Sequence, residues 1–164
     1  MKIKLLIIWT VLCLTCCNFG PKPKSENQQS VIDVQSNDLE MNHAIEEAKK
    51  TLYKFKDALR SKNKDFSYFA LKSKFKSDNG VEHIWISDVT IKNEKYIGVI
   101  DNIPKSITYL HIGDTIQLSY ENISDWMYVD NNTLRGGYTI RLLRKRMSEN
   151  ERKRFDAEIK LVIE

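Results

Sequence analysis

Beyond position 17 the chain has no cysteine: its three are Cys13, Cys16 and Cys17. The remainder therefore holds no disulfide framework, no thiolate zinc cluster and no thiol nucleophile, and it must fold by burying apolar surface. Proline is scarce, at three residues, and glycine is limited to six, which excludes collagen-like and low-complexity chains. The three histidines, His43, His83 and His111, stand far apart with no His-x-His or His-Glu-x-x-His spacing, so no metal or other cofactor is expected. No Gly-x-Ser-x-Gly elbow, Gly-x-Gly-x-x-Gly turn or Gly-Lys-Ser/Thr loop occurs, which removes the usual signatures of α/β-hydrolases and phosphate-binding folds. The 41% hydrophobic and 29% charged residues of a 164-residue chain describe a globular protein with room for one ordinary domain.

Met1-Lys2-Ile3-Lys4 precedes an apolar run over residues 5–15, the basic and hydrophobic regions of a secretory signal. As a helix that run would span about 16 Å at roughly 1.5 Å per residue, against a hydrocarbon core of about 30 Å, which argues against a transmembrane helix. Its end, Leu14-Thr15-Cys16-Cys17, resembles the lipobox of bacterial lipoproteins. The resemblance implies a leader over residues 1–16 and lipidation of Cys17 by a diacylglyceryl thioether, with palmitate among the acyl groups. Cys16 is the second choice, since it stands where lipoboxes carry Gly, Ala or Ser. Residues 17–37, with Pro21, Pro23 and a polar Ser25-Glu26-Asn27-Gln28-Gln29-Ser30 stretch, read as a flexible tether with a root-mean-square span of order 25 Å. Residues 38–164 are expected to form a single domain.

The predicted location is the cell envelope, as a lipid-anchored protein facing the periplasm. Its partners would be the membrane, through the lipid, and an envelope protein or glycan. Nucleic acid is not expected, because Lys2 and Lys4 supply two of the +4 formal charges and would leave with the leader. Basic side chains do gather at Arg141, Arg144, Lys145, Arg146, Arg152, Lys153 and Arg154, opposed only by Glu149 and Glu151. Such a run suits anionic lipid or an acidic partner, or simply a solvated face.

Met41, Ile45, Ala48, Leu52, Phe55 and Leu59 recur at helical steps with Glu and Lys between them, which predicts one amphipathic helix capped by Asn37 or Asp38. From Phe66 the period becomes two. Phe69, Leu71 and Phe75 share one side of a strand, with Ala70, Lys72, Lys74 and Lys76 on the other. A turn at Asp78-Asn79-Gly80 leads to a strand over 81–91, a hairpin across 92–95 and a third strand over 96–101. Further strands are read at 115–118, 126–129 and, after Asp130-Asn131-Asn132, at 138–143. Ser148-x-x-Glu151 is a capping box that opens a closing helix, with Phe155, Ile159 and Val162 on its apolar side. The expected fold class is therefore α+β: an N-terminal amphipathic helix, about six short, mostly antiparallel strands in a curled sheet or small barrel, and a C-terminal helix.

The segments Glu82-His83-Ile84-Trp85, Gly113-Asp114, Ser124-Asp125-Trp126, Arg135-Gly136-Gly137-Tyr138 and Met147-Ser148 to Arg152 together resemble the bacterial family called domain of unknown function 2314, the YegJ-like proteins. The resemblance runs over about 66–155. It implies relatives that are also exported, and no activity.

His83 and Trp85, two apart, project from one sheet face, and Glu82, Ile84 and Ile86 from the other. One expectation is a shallow binding pocket formed by His83, Trp85, Asp125, Trp126 and Arg141, where indoles stack on a sugar or peptide and the guanidinium clamps a carboxylate. The competing expectation is that both tryptophans fill core and His83 is a structural hydrogen-bonding residue. Carboxylates such as Glu82 and Asp88 could serve acid and base roles, but any charged domain offers such pairs. No catalytic residue is assigned. The leading functional reading is a non-catalytic binding or accessory module. The alternative is a hydrolase acting on envelope material through His83 and an acidic partner.

Overall fold

The computed structural model describes residues 38–77 and 80–164. The residues read as a leader and a tether, with Cys16 and Cys17, and the turn read at Asp78-Asn79 lie outside the described residues. The first helix, α1 (Leu39–Lys50), starts at Asp38, whose carboxylate accepts the Met41 N–H at 3.0 Å. The single helix expected over 41–59 is two, because α2 (Leu52–Ser61) begins after a break at Thr51. There the Thr51 hydroxyl bonds back to the Glu47 carbonyl at 2.7 Å, which competes with the regular ladder. The apolar stripe continues across the break, with Met41, Ala48, Leu52, Phe55 and Ala58 all buried, and so the break leaves no mark in the hydrophobic period.

Six strands follow: β1 (Phe66–Ser77), β2 (Gly80–Lys92), β3 (Lys95–Ile100), β4 (Thr115–Leu118), β5 (Ile123–Asp130) and β6 (Thr133–Gly136). They form one open antiparallel sheet in the order β4-β3-β2-β1-β5-β6. Lys92 pairs with Lys95 and Asp130 with Thr133, each across two residues of positive φ (Asn93 and Glu94, Asn131 and Asn132). These are the primed turns whose twist matches that of paired strands.

Two elements at the C-terminal end differ from expectation. Residues 138–143, read as a strand, belong to helix α3 (Tyr138–Arg146), and the sixth strand is Thr133–Gly136 instead. Tyr138, Thr139 and Ile140 have strand-like propensities, but Gly137 turns left-handed just before them, at φ 65° and ψ 42°, and a cap reaches the helix from elsewhere in the fold. The last helix, α4 (Glu149–Ile159), has both halves of the expected Ser148–Glu151 capping box. It stops at a left-handed Lys160, and so Val162 lies beyond it, in a tail that makes a parallel bridge to Thr133.

Helices α1 and α2 cover one sheet face. There Ala48, Leu52 and Phe55 pack with Leu71, Ile84, Ile86, Ile100, Leu118, Ile123 and Trp126 in the main core. A smaller cluster of Ala70, Met127 and Leu134, flanked by half-buried Trp85, Ile140, Leu161 and Ile163, occupies the other face. Ala70 thus shares a face with the strand lysines yet is fully buried.

Candidate functional site

Strand pairing assembles a row of polar side chains on the second face. Lys72 of β1 stands opposite Trp85 of β2 on one side and Asp125 of β5 on the other, while Lys74 stands opposite His83. The β1–β5 register slips between Lys72 and Ser73, leaving Ser124 as an extra residue on β5. The Ser124 hydroxyl lies 2.8 Å from His83 Nδ1 and 3.3 Å from the Lys72 carbonyl. Serine has one proton, so both bonds form together only when Ser124 donates to the carbonyl and His83 Nδ1–H donates to Ser124. Nε2 is then left as an acceptor. Burial, with the positive charges of Lys72, Lys74 and Lys49, pushes the His83 pKa down to about 4, and the ring is neutral at physiological pH.

Asp125 is fully buried. Its Oδ1 accepts the Trp126 and Tyr138 N–H groups at 2.8 and 3.1 Å, and its Oδ2 accepts the Thr139 N–H and hydroxyl at 2.8 and 2.7 Å. A β5 carboxylate thus caps α3 across the fold and satisfies the first donors of that helix. Burial raises its pKa, opposed by the Thr139 bonds and the charge on Lys72. Lys72 Nζ lies 3.4 Å from the Thr139 hydroxyl and 5.6 Å from the Trp85 ring centre, a cation–π contact, and burial lowers its pKa while Asp125 opposes the shift.

The five expected pocket residues do not converge. His83, Trp85 and Asp125 share a face, with Asp125 committed to α3. Trp126 lies on the opposite face in the main core, where its indole donates to the Ala48 carbonyl at 3.0 Å and to Thr51 Oγ1 at 3.2 Å. Arg141 donates to the carbonyls of Gly136 at 2.9 Å, Leu134 at 2.7 Å and Glu164. Glu82, on the face away from His83, accepts the Lys105 and Ser106 N–H groups at 2.8 and 2.9 Å and pins the β3–β4 loop. Much of the basic run is paired internally, Arg144 with Asp156 at 2.7 Å, Arg146 with Asp38 and Glu40, and Lys153 with Glu149.

The residues that sequence reasoning missed are Lys72, Lys74, Ser124 and Thr139. The alternation of Lys72, Lys74 and Lys76 was visible, but the register placing two of them against Trp85 and His83 was not. Chemically, the row presents ammonium groups beside a neutral imidazole and an indole. Ser124 is a poor nucleophile here, being buried with its proton turned to a backbone carbonyl.

Residues 38–162 match a family described as "Uncharacterized protein conserved in bacteria" (DUF2314). Over 137 residues the chain is 34% identical to "Uncharacterized protein YegJ" of Escherichia coli, covering 84% of this chain and 85% of that protein. It is also 38% identical over 76 residues to a protein of Neisseria meningitidis serogroup B named "Putative ankyrin repeat protein", covering 46% of this chain and 30% of that one. No solved structure matches.

Proposed function

Since the chain belongs to the DUF2314 family of conserved bacterial proteins, we propose that it is a lipid-anchored module of the cell envelope that works by noncovalent binding, with its binding face on β1 and β2. The observation that carries this reading is the pairing of Lys74 with His83 and Lys72 with Trp85 on a face where Lys74 and Lys76 make no ion pair among the described residues. Aromatic and cationic groups side by side suit a ligand with both an apolar body and a negative group. The partner is an envelope protein or glycan, reached from a membrane surface on which Cys17 holds the protein.

The test is affinity capture from detergent-solubilised envelopes with the intact chain, run beside a Lys74→Ala/Trp85→Ala form whose unfolding midpoint matches the native one. Retention of one species by the native protein alone is the expected result, and equal retention by both forms refutes the site. Palmitate labelling lost in Cys17→Ala and kept in Cys16→Ala is expected for the anchor.

One observation favours the alternative of a hydrolase acting on envelope material, the short His83–Ser124 contact. That reading requires turnover of cell-wall fragments by the native chain and its loss in His83→Ala. The commitment of Asp125 to α3, which leaves His83 without an acidic partner among the described residues, weighs towards binding.

A further inference from the structure

We infer that His83 marks an anion-binding notch, in which Lys74 and Lys72 hold a phosphate, sulfate or carboxylate group of the ligand against the imidazole. The inference rests on the binding reading above and names the ligand's chemical class. Two elements build the notch around His83 of β2. β1 sets Lys74 directly across from His83 and Lys72 one step along the same face. β5 bulges at Ser124 and fixes the ring through Nδ1 at 2.8 Å, which leaves Nε2 for a ligand.

The neighbouring carboxylates are otherwise engaged. Asp125 accepts three bonds at the start of α3 and one from the Trp126 N–H, and Glu82 lies on the opposite face bonded to the β3–β4 loop. Asp125 offsets part of the charge on Lys72, but Lys74 has no ion-pair partner among the described residues, and its charge beside the half-buried ring is a positive potential that an anion relieves. The ring also couples the two events. In mildly acidic solution an anion in place favours a proton from solvent on Nε2, and the resulting N–H donates to the anion as a charge-assisted bond, while at neutral pH the lysines alone hold it.

The experiment follows the three imidazoles of the full chain by NMR between pH 3.5 and 8, in sodium sulfate and in sodium chloride of matched ionic strength. Sulfate is a dianion throughout that range. Sulfate is expected to raise the His83 midpoint by about one pH unit or more, equivalent to about tenfold tighter binding to the protonated form. His43 and His111 stay where they are, Lys74→Ala abolishes the effect and Lys74→Arg keeps it. A His83 midpoint equal in the two salts, or a shift that survives Lys74→Ala, overturns the notch. Should capture by the native chain still depend on Trp85 in that case, the binding reading stands without the anion. Should sulfate shift His83 while capture recovers nothing, the notch stands and the envelope-partner reading falls.

Discussion

Asp125→Asn isolates the long-range cap of α3 with almost no change of shape. Oδ1 keeps its bonds to the Trp126 and Tyr138 N–H groups, while an amide NH2 replaces the Oδ2 that accepted from Thr139. The Thr139 hydroxyl can rotate to accept from that amide. The Thr139 backbone N–H cannot, and a buried donor without an acceptor costs about 1–3 kcal/mol. Asp125→Ala removes the acceptor for all four donors and the compensating charge near Lys72, for an expected loss of about 4 kcal/mol. Against a domain stability of about 5–15 kcal/mol these are large fractions. At about 4 °C per kcal/mol, Asn lowers the unfolding temperature by about 8 °C and Ala by about 16 °C. Thermal and urea unfolding at neutral pH measure both, and hydrogen exchange at the Thr139 amide locates the defect, with exchange faster in Asn than in the native chain. An Asn variant within about 0.5 kcal/mol of the native protein, with the Thr139 amide still protected, would refute the reasoning.

Two further outcomes are expected. His83 titrates near 4 in the folded chain and at its ordinary value of about 6.5 when unfolded, so between those values the unfolded chain binds the proton. The contribution of the neutral ring is complete above about pH 6.5 and is lost as pH falls towards 4. Allowing for the solvent that reaches the ring, urea titrations at pH 8 and pH 5 should differ by about 1–2 kcal/mol more in the native chain than in His83→Gln, and parallel curves would contradict the assignment. At Gly136, where φ is +72°, a methyl group would stand 2.2 Å from the Trp126 carbonyl oxygen and 2.4 Å from its ring. Gly136→Ala should therefore cost about 3 kcal/mol or more in urea unfolding, and an unchanged midpoint would contradict the packing of β6 on β5.

What the chain reveals by itself follows the range of the interactions involved. The Ser148–Glu151 box, the 92–95 hairpin and the alternation of β1 and β2 are set by neighbours within a few residues, and each was readable. α3 was misread because its cap comes from Asp125, 13 to 14 residues earlier, and no local pattern announces it. The break at Thr51 was hidden in the same way, because the indole it serves is Trp126, 75 residues on. For the candidate site, the alternation that sent His83 and Trp85 to one face was legible. The identity of their cross-strand neighbours depended on register, and Trp126 fell on the opposite face because β5 alternates too. Arg141 carried no sign that backbone carbonyls would occupy it.

The sheet ends on two strands of four residues each, β4 and β6, while its long strands lie inside. The C-terminal tail closes part of the β6 edge, with the Val162 N–H on the Asn132 carbonyl and the Leu134 N–H on the Val162 carbonyl, both at 2.9 Å. Where β2 extends past the end of β3, side chains substitute for a strand, and Asn102 accepts the Trp85 N–H at 3.1 Å. Little backbone is left for another chain to zip onto, which protects the fold from edge-to-edge aggregation. It also disfavours recognition by strand addition. Under the proposed binding reading, a partner would meet side chains, and its selection would be written in charge and ring chemistry, which a few substitutions could retune without disturbing the sheet beneath.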